Sequence, residues 1–333
     1  MSNMLMGLCL ANSFSLLLYS LPILVIPAQF SVTGTLQVED GKGGKGLQSL
    51  GYPKQFSDFV VILAKQKVAI NAVLRASKVC QKVFKQLVNA ETIIKKDKSP
   101  VTIADYSAQA VVNAILFNTF PNDPIVGEED SKDLHGNDAS VKELRKRILN
   151  LTNSVLDDPL DEKKLLDAID RGSHPGGAKG RFLRGEQFAV CLALVVDGKV
   201  QLGVTGCPNL PIDFTRPESE RGCIFVALRG HGAFQGNFSS TEISQMSKIH
   251  MRNIDNVSEA SFCESVEAAH SSQDDSAKIA SMLEITKSPV RIDSQTKYAV
   301  VSRGDADIYL RLPVNEDYQE NIWDHASGSL LGL

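Results

Sequence analysis

Carboxylates stand at three places where an apolar run gives way to a turn or a helix start: Asp105 in SPVTIADYSAQA, Glu128 and Glu129 in IVGEED, and Asp324 in WDHASGS. A fourth piece, RIDSQTKY followed by IYLRLP, sets cations in similar surroundings. Acids drawn from separate segments suit a hard cation such as Mg²⁺, which takes oxygen ligands. Each also has a local explanation. An Asp ahead of a helical run, as at Asp105 and Asp324, is ordinarily an N-cap. Adjacent acids are ordinarily a solvated turn, but Glu128 and Glu129 close an apolar strand, which favours a ligand role.

The elements that must carry these residues follow from periodicity. From Ser57, Phe59, Ile62, Leu63, Ile70, Val73, Leu74, Val79 and Cys80 recur at three- and four-residue steps, with Lys65, Lys67, Arg75 and Lys78 between them. That spacing predicts a helix. KKDKSP breaks it, because the residue before Pro100 avoids the α region. A second helix is expected after Asp105, ending before Pro121. IVG reads as a short strand, and 142–150 as a polar helix. FAVCLALVV and KVQLGVTG flank Asp197-Gly198, a hairpin signature. CIFVALRGHGAF is a strand running into a glycine-rich turn. PVRID and IYLRL are strands, with SQTKYAVVSRG a helix stopped by Gly304. Helices and strands mix throughout without an internal repeat, so an α/β (α+β) layered fold is expected.

The bulk numbers set limits. With 333 residues, 43% of them hydrophobic, the chain can bury one large or two modest cores. A net charge of −4 argues against a nucleic-acid partner, while a small anionic ligand is still compatible with a few local cations. The six cysteines (Cys9, Cys80, Cys191, Cys207, Cys223, Cys263) form no CxxC pair and read as reduced, buried thiols of a cytoplasmic protein. Residues 4–28 are strongly apolar and no charge precedes Glu39. They read as an extension outside the fold, with a membrane anchor as the alternative. EDGKGGKGLQSLGYP follows like a linker. The expected division is 1–55 extension and linker, 56–245 a first α+β domain, and 246–333 a second α/β domain.

Taken together, the four motifs and the stretch LRGEQFAVCLALVVDGKVQLGVTGCPNLP resemble the 3′(2′),5′-bisphosphate nucleotidases, members of the inositol monophosphatase and fructose-1,6-bisphosphatase superfamily. The resemblance runs from about residue 57 to 329. It implies an α-β-α-β-α layered fold and a Mg²⁺-dependent, Li⁺-sensitive phosphatase that takes the 3′-phosphate from adenosine 3′,5′-bisphosphate (PAP). It also implies roles. Asp105 would help activate the attacking water, and Glu128 and Asp324 would ligate metal. His270 (EAAHSS), Ser294 and Lys297 (DSQTK), and Arg311 (YLRLP) would hold the nucleotide. Arg and Lys suit phosphate chemically. A monomer acting on a small nucleotide in sulfate assimilation is implied, with no nucleic-acid or membrane partner.

One element of the resemblance is missing. The family carries W-x-L-D-P-[IL]-D-G-T-K-G-F directly before LRGEQFAV, supplying two metal-binding Asp residues and a Thr. Here GGAKGRF runs straight into it at Phe182–Leu183. DPLDEK (158–163) and DAIDRG (167–172) share the spacing but lack the Gly-Thr. The first is read as a helix start capped by Asp158, with Leu165, Leu166 and Ile169 as its apolar face. The expected consequences are an impaired enzyme, a sheet with unpaired backbone where a strand is lost, and a fold incomplete toward Leu333. The alternatives are an inositol polyphosphate 1-phosphatase and a nucleotide-binding protein without catalysis.

Overall fold

The apolar period after the linker becomes α1 (Lys54–Asn89), and α2 (Pro100–Thr119) packs beside it. The structure is a computed structural model that describes residues 4–10, 54–89, 100–172, 187–216, 218–266, 273–312, 322–323 and 325–332. Pro100 suits a first helical position, where its missing N–H leaves nothing unpaired. α2 therefore starts ahead of Asp105, and Asp105, expected as a cap, lies inside the helix. Lys65, which the pattern puts on the wet face of α1, is 3% exposed, paired with Asp123 and set over the Phe120 ring.

A seven-stranded sheet carries the rest of the larger core, in the order β2-β1-β3-β4-β5-β6-β7. Its strands are β1 (Met4–Leu10), β2 (Ile125–Val126), β3 (Val190–Val196), β4 (Lys199–Pro211), β5 (Arg221–Leu228), β6 (Gly232–Asn237) and β7 (Ser247–Ile249). The β3–β4 hairpin turns at Asp197 and Gly198, with φ of 50° and 71°, the left-handed pair that a two-residue turn needs. β7, past the expected boundary at 245, still belongs to this sheet.

Layers form because the sheet is apolar on both faces. On one, Val190, Leu192, Leu194, Leu202 and Val204 share a core with α1, and α2 packs on α1 with α3 (Ala139–Asn153) and α4 (Glu162–Asp170) against it. On the other, Cys191, Ala193, Cys207 and Phe225 meet α6 (Thr296–Ser302) and α7 (Ala326–Leu331). Beyond these lies a three-stranded sheet, β10-β8-β9, made from β8 (Phe262–Glu264), β9 (Val290–Arg291) and β10 (Ile308–Tyr309). Residues from α5 (Gln273–Met282) pack on Phe262 and Ile308. The succession is α-β-α-β-α, as expected.

Two details differ from the sequence reading. α4 is capped by Asp161, whose carboxylate accepts from the Lys164 amide, rather than by Asp158, which is exposed; Leu165 and Ile169 do form its buried face. Met4–Leu10, part of the segment read as an extension outside the fold, is a strand inside the large sheet. It runs antiparallel to β3 and parallel to β2, so the neighbours of the missing element are paired after all.

Candidate active site

Two regions hold the described site residues that sequence reasoning chose. The first is an acidic corner where α2, the end of β2 and the end of α4 meet. Glycine is required here by close approach. A side chain on Gly127 would lie 2.7 Å from Gln109 Oε1. One on Gly172 would lie 2.8 Å from Gln109 Nε2 and 3.0 Å from Gly127 Cα. The Gly127 amide donates to the Gly172 carbonyl at 2.7 Å. Gln109, 2% exposed, donates through Nε2 to the carbonyls of Glu129 (2.7 Å) and Ile169 (2.9 Å) and accepts the Glu129 amide at 3.0 Å. The Asp170 carboxylate accepts from both the amide and the hydroxyl of Ser131, each at 2.7 Å. The turn that presents Glu128 and Glu129 is thus clamped to both helices.

Asp105 faces this turn from α2. Burial pushes its carboxyl well above the usual carboxylate range, and the charges of Glu128 and Glu129 push it further. Tyr106 is raised as well, first by burial and then by Glu129, Asp133 and Asp130. Cys80 on α1 is raised by burial and by Asp105. The shared cause is concentrated negative charge in a poorly solvated corner, an arrangement that a cation or a proton relieves. Among the described residues, no group of three or more His, Cys, Asp or Glu side chains is placed to hold a metal ion. The lookalike acids do not fill the gap: Asp158, Asp167 and Asp170 are exposed, and Asp170 is committed to Ser131.

The second region surrounds α6. Ser294 precedes it in the left-handed conformation, φ 61°, with its hydroxyl 2.9 Å from that of Thr296. Lys297 is 3% exposed, its ammonium 5.5 Å from the centre of the Tyr309 ring. Tyr309 stacks edge-on against Tyr298 at 5.2 Å, and the Tyr298 hydroxyl lies 2.8 Å from His325 Nδ1. A cavity of about 510 Å³ opens here, lined by Tyr298, Tyr309, Arg311, His325, Gly328 and Ser329. That volume suits a small organic ligand. α7 is drawn close to the sheet: a side chain on Gly203 would lie 2.6 Å from the Ser327 carbonyl, and Thr205 Oγ1 donates to Ser327 Oγ at 3.1 Å.

The structure thus brings Asp105 and Glu128 together, and sets Lys297 beside Tyr309, which lines the same cavity as Arg311. His270 and Asp324 lie outside the described residues. His325 stands at the N-cap position of α7, without a side-chain capping bond. Sequence reasoning missed Gln109, Gly172, Tyr298 and His325. The last two each adjoin a motif residue, Lys297 and Asp324, and that adjacency was the available signal. Gln109 and Gly172 lie inside SPVTIADYSAQA and DAIDRG, but their pairing was not legible, since the partners are 20 and 60 or so residues away along the chain.

Comparison with known proteins bears on the site as a whole. The profile of the inositol monophosphatase family matches residues 178–331. A 3′(2′),5′-bisphosphate nucleotidase of Schizosaccharomyces pombe is 44% identical over 294 residues, covering 80% of this chain and 82% of that protein. One from Emericella nidulans is 42% identical, covering 79% and 83%. 3′(2′),5′-Bisphosphate nucleotidase 1 of Arabidopsis thaliana is also 42% identical, covering 77% and 79%. Among solved structures, the suhB protein of Bartonella henselae matches weakly, with a TM-score of 0.46 and 17% identity over 80% of this chain and 83% of that one. By identity and by coverage, the chain belongs to the 3′(2′),5′-bisphosphate nucleotidase family, within the inositol monophosphatase superfamily.

Proposed function

We propose that this chain acts on adenosine 3′,5′-bisphosphate, adding water across the 3′-phosphoester to release AMP and inorganic phosphate, and that its turnover is impaired. The observation that carries this reading is the junction of Asp105 with Glu128 and Glu129 in a chain 44% identical to a protein of that name. A carboxyl held above its usual range is well matched to taking a proton from an attacking water near neutral pH. In this reading Arg311, Lys297, Ser294 and His270 hold the nucleotide.

The inositol monophosphatase family uses metal ions. Here Mg²⁺ would be held by Glu128 and Asp324, and inhibition by Li⁺ would follow. Yet the described carboxylates fall short of a ligand set, and the sequence lacks the D-P-[IL]-D-G-T element. Disturbing even outer partners of a metal costs ~10–100-fold in affinity or activity, so losing direct ligands costs more. The protein is further read as a cytoplasmic monomer. Among the described residues no helix is long and apolar enough to cross a membrane, and residues 11–28 lie outside them.

The test is phosphate release from PAP with and without Mg²⁺, alongside PAP binding by calorimetry. Binding with turnover at least ~100-fold below that of a family member retaining the missing element is expected. Turnover at an ordinary enzymatic rate would remove the impairment, and absence of PAP binding would remove the substrate. A second reading, a nucleotide-binding protein without catalysis, rests on the same shortfall of ligands. Mg²⁺-independent binding with no phosphate release would favour it. Faster hydrolysis of inositol 1,4-bisphosphate than of PAP would point instead to the inositol polyphosphate 1-phosphatase type.

A further inference from the structure

Among the described residues, β2 has one partner in the large sheet, and that partner is β1. Met6 pairs with Ile125 and Gly7 with Val126 on that side. On the other side, β1 runs the whole length of β3, from Met4 opposite Val196 to Leu10 opposite Val190. β3 is buried on both faces, with Cys191 and Ala193 in one core and Leu192 and Leu194 in the other. A strand so placed cannot leave one edge bare, because its backbone N–H and C=O groups would be buried without partners and without water. Some strand must occupy the slot. In this molecule it comes from a segment separated from α1 by 43 residues of sequence (11–53).

We propose that Met4–Leu10 is a positioning strand, joining the turn that bears Glu128 and Glu129 to the rest of the sheet in its own chain. β2 delivers those two acids directly, and α2, which bears Asp105, packs on β1. Gln109 and Gly172 tie the turn to the helices, so β1 is the tie between the turn and the sheet. The role is structural and independent of which substrate the site takes.

Hydrogen exchange on the full chain tests this without any variant. The amides of residues 4–10 should exchange at least ~100-fold more slowly than in a free peptide of the same sequence. Deleting residues 1–10 should expose the amides of 125–126 and 190–196 while those of β5 and β6 keep their protection. A synthetic peptide of residues 1–12 added in trans should then restore it. Free exchange of 4–10 in the full chain would overturn the proposal. So would unchanged protection of 190–196 after the deletion.

Discussion

Gln109 holds the Glu129 backbone from both sides, donating a hydrogen bond to its carbonyl at 2.7 Å and accepting one from its amide at 3.0 Å. A carboxamide offers both roles from one neutral side chain. Gln109→Glu keeps the shape but loses the donor and adds a further acid to the corner. Each buried polar group left without a partner costs ~1–3 kcal/mol. Gln109→Glu is therefore expected to lower stability by that order in urea denaturation. Gln109→Ala should do the same and also disturb PAP binding less than it disturbs phosphate release.

A second pair controls the response to acid. Arg252 forks onto Asp307, with Nε 2.9 Å from Oδ1, and Asp307 also accepts the Ser261 amide at 2.7 Å. Burial alone would raise Asp307, but these donors hold it below the usual range. The unfolded chain then binds the proton more readily, so the stabilisation is present above the ordinary carboxylate pKa of ~3.9 and is lost as pH falls through the folded value. Asp307→Asn should be less stable than the parent at pH 7, with the gap closing toward pH 3. A gap that stays constant with pH would show that packing, not charge, sets the difference.

Arg303 makes a third prediction. Its side chain is 6% exposed; it pairs with Asp305 and donates to the Pro211 carbonyl at 3.1 Å. Asp305 is raised by burial and held back by Arg303. Arg303→Leu strands a half-buried carboxylate and is expected to cost ~1–3 kcal/mol. Arg303→Leu with Asp305→Leu should recover much of that loss, as thermal unfolding would record.

For the cavity beside α7, Arg311→Ala should weaken PAP binding by a charge-assisted bond of ~1.5–3 kcal/mol, roughly ten- to a hundredfold. Arg311→Lys should recover only part, since an ammonium lacks the planar fork. Tyr298→Phe, which removes the hydroxyl at 2.8 Å from His325, should weaken binding less than Arg311→Ala does. Titration calorimetry on the three variants checks the order.

The layered fold was legible because its signals are local. The apolar period of α1 and the Asp197-Gly198 turn each lie within a few residues of what they determine. Asp105 was harder. The pattern placed a helix start after it, whereas Pro100 opens the helix earlier, and an acid inside a buried turn is not a cap. Lys65 shows the same limit, since only the distant Asp123 makes its burial tolerable. The candidate site was half legible. Asp105 and Glu128 announce themselves by motif. The clamp by Gln109 and Gly172 depends on contacts between α2, the GEE turn and α4 that no short window contains. The strand Met4–Leu10 was hidden for another reason: its partners lie more than a hundred residues away, and apolar composition alone does not separate a strand from an anchor.

Cys191, Cys207 and Cys223 on the large sheet, and Cys263 on β8, are buried thiols in the core shared with α6 and α7. Burial drives Cys223 up to about 11 and Cys263 to about 12, while Cys207 is raised well beyond its ordinary value. Only a thiolate attacks an alkylating reagent at a useful rate. These sulfurs stay silent while the core around α6 and α7 is closed, and can be labelled only through local opening. The protein therefore carries its own stopwatch: the rate at which these thiols are labelled reads how often its C-terminal layer opens.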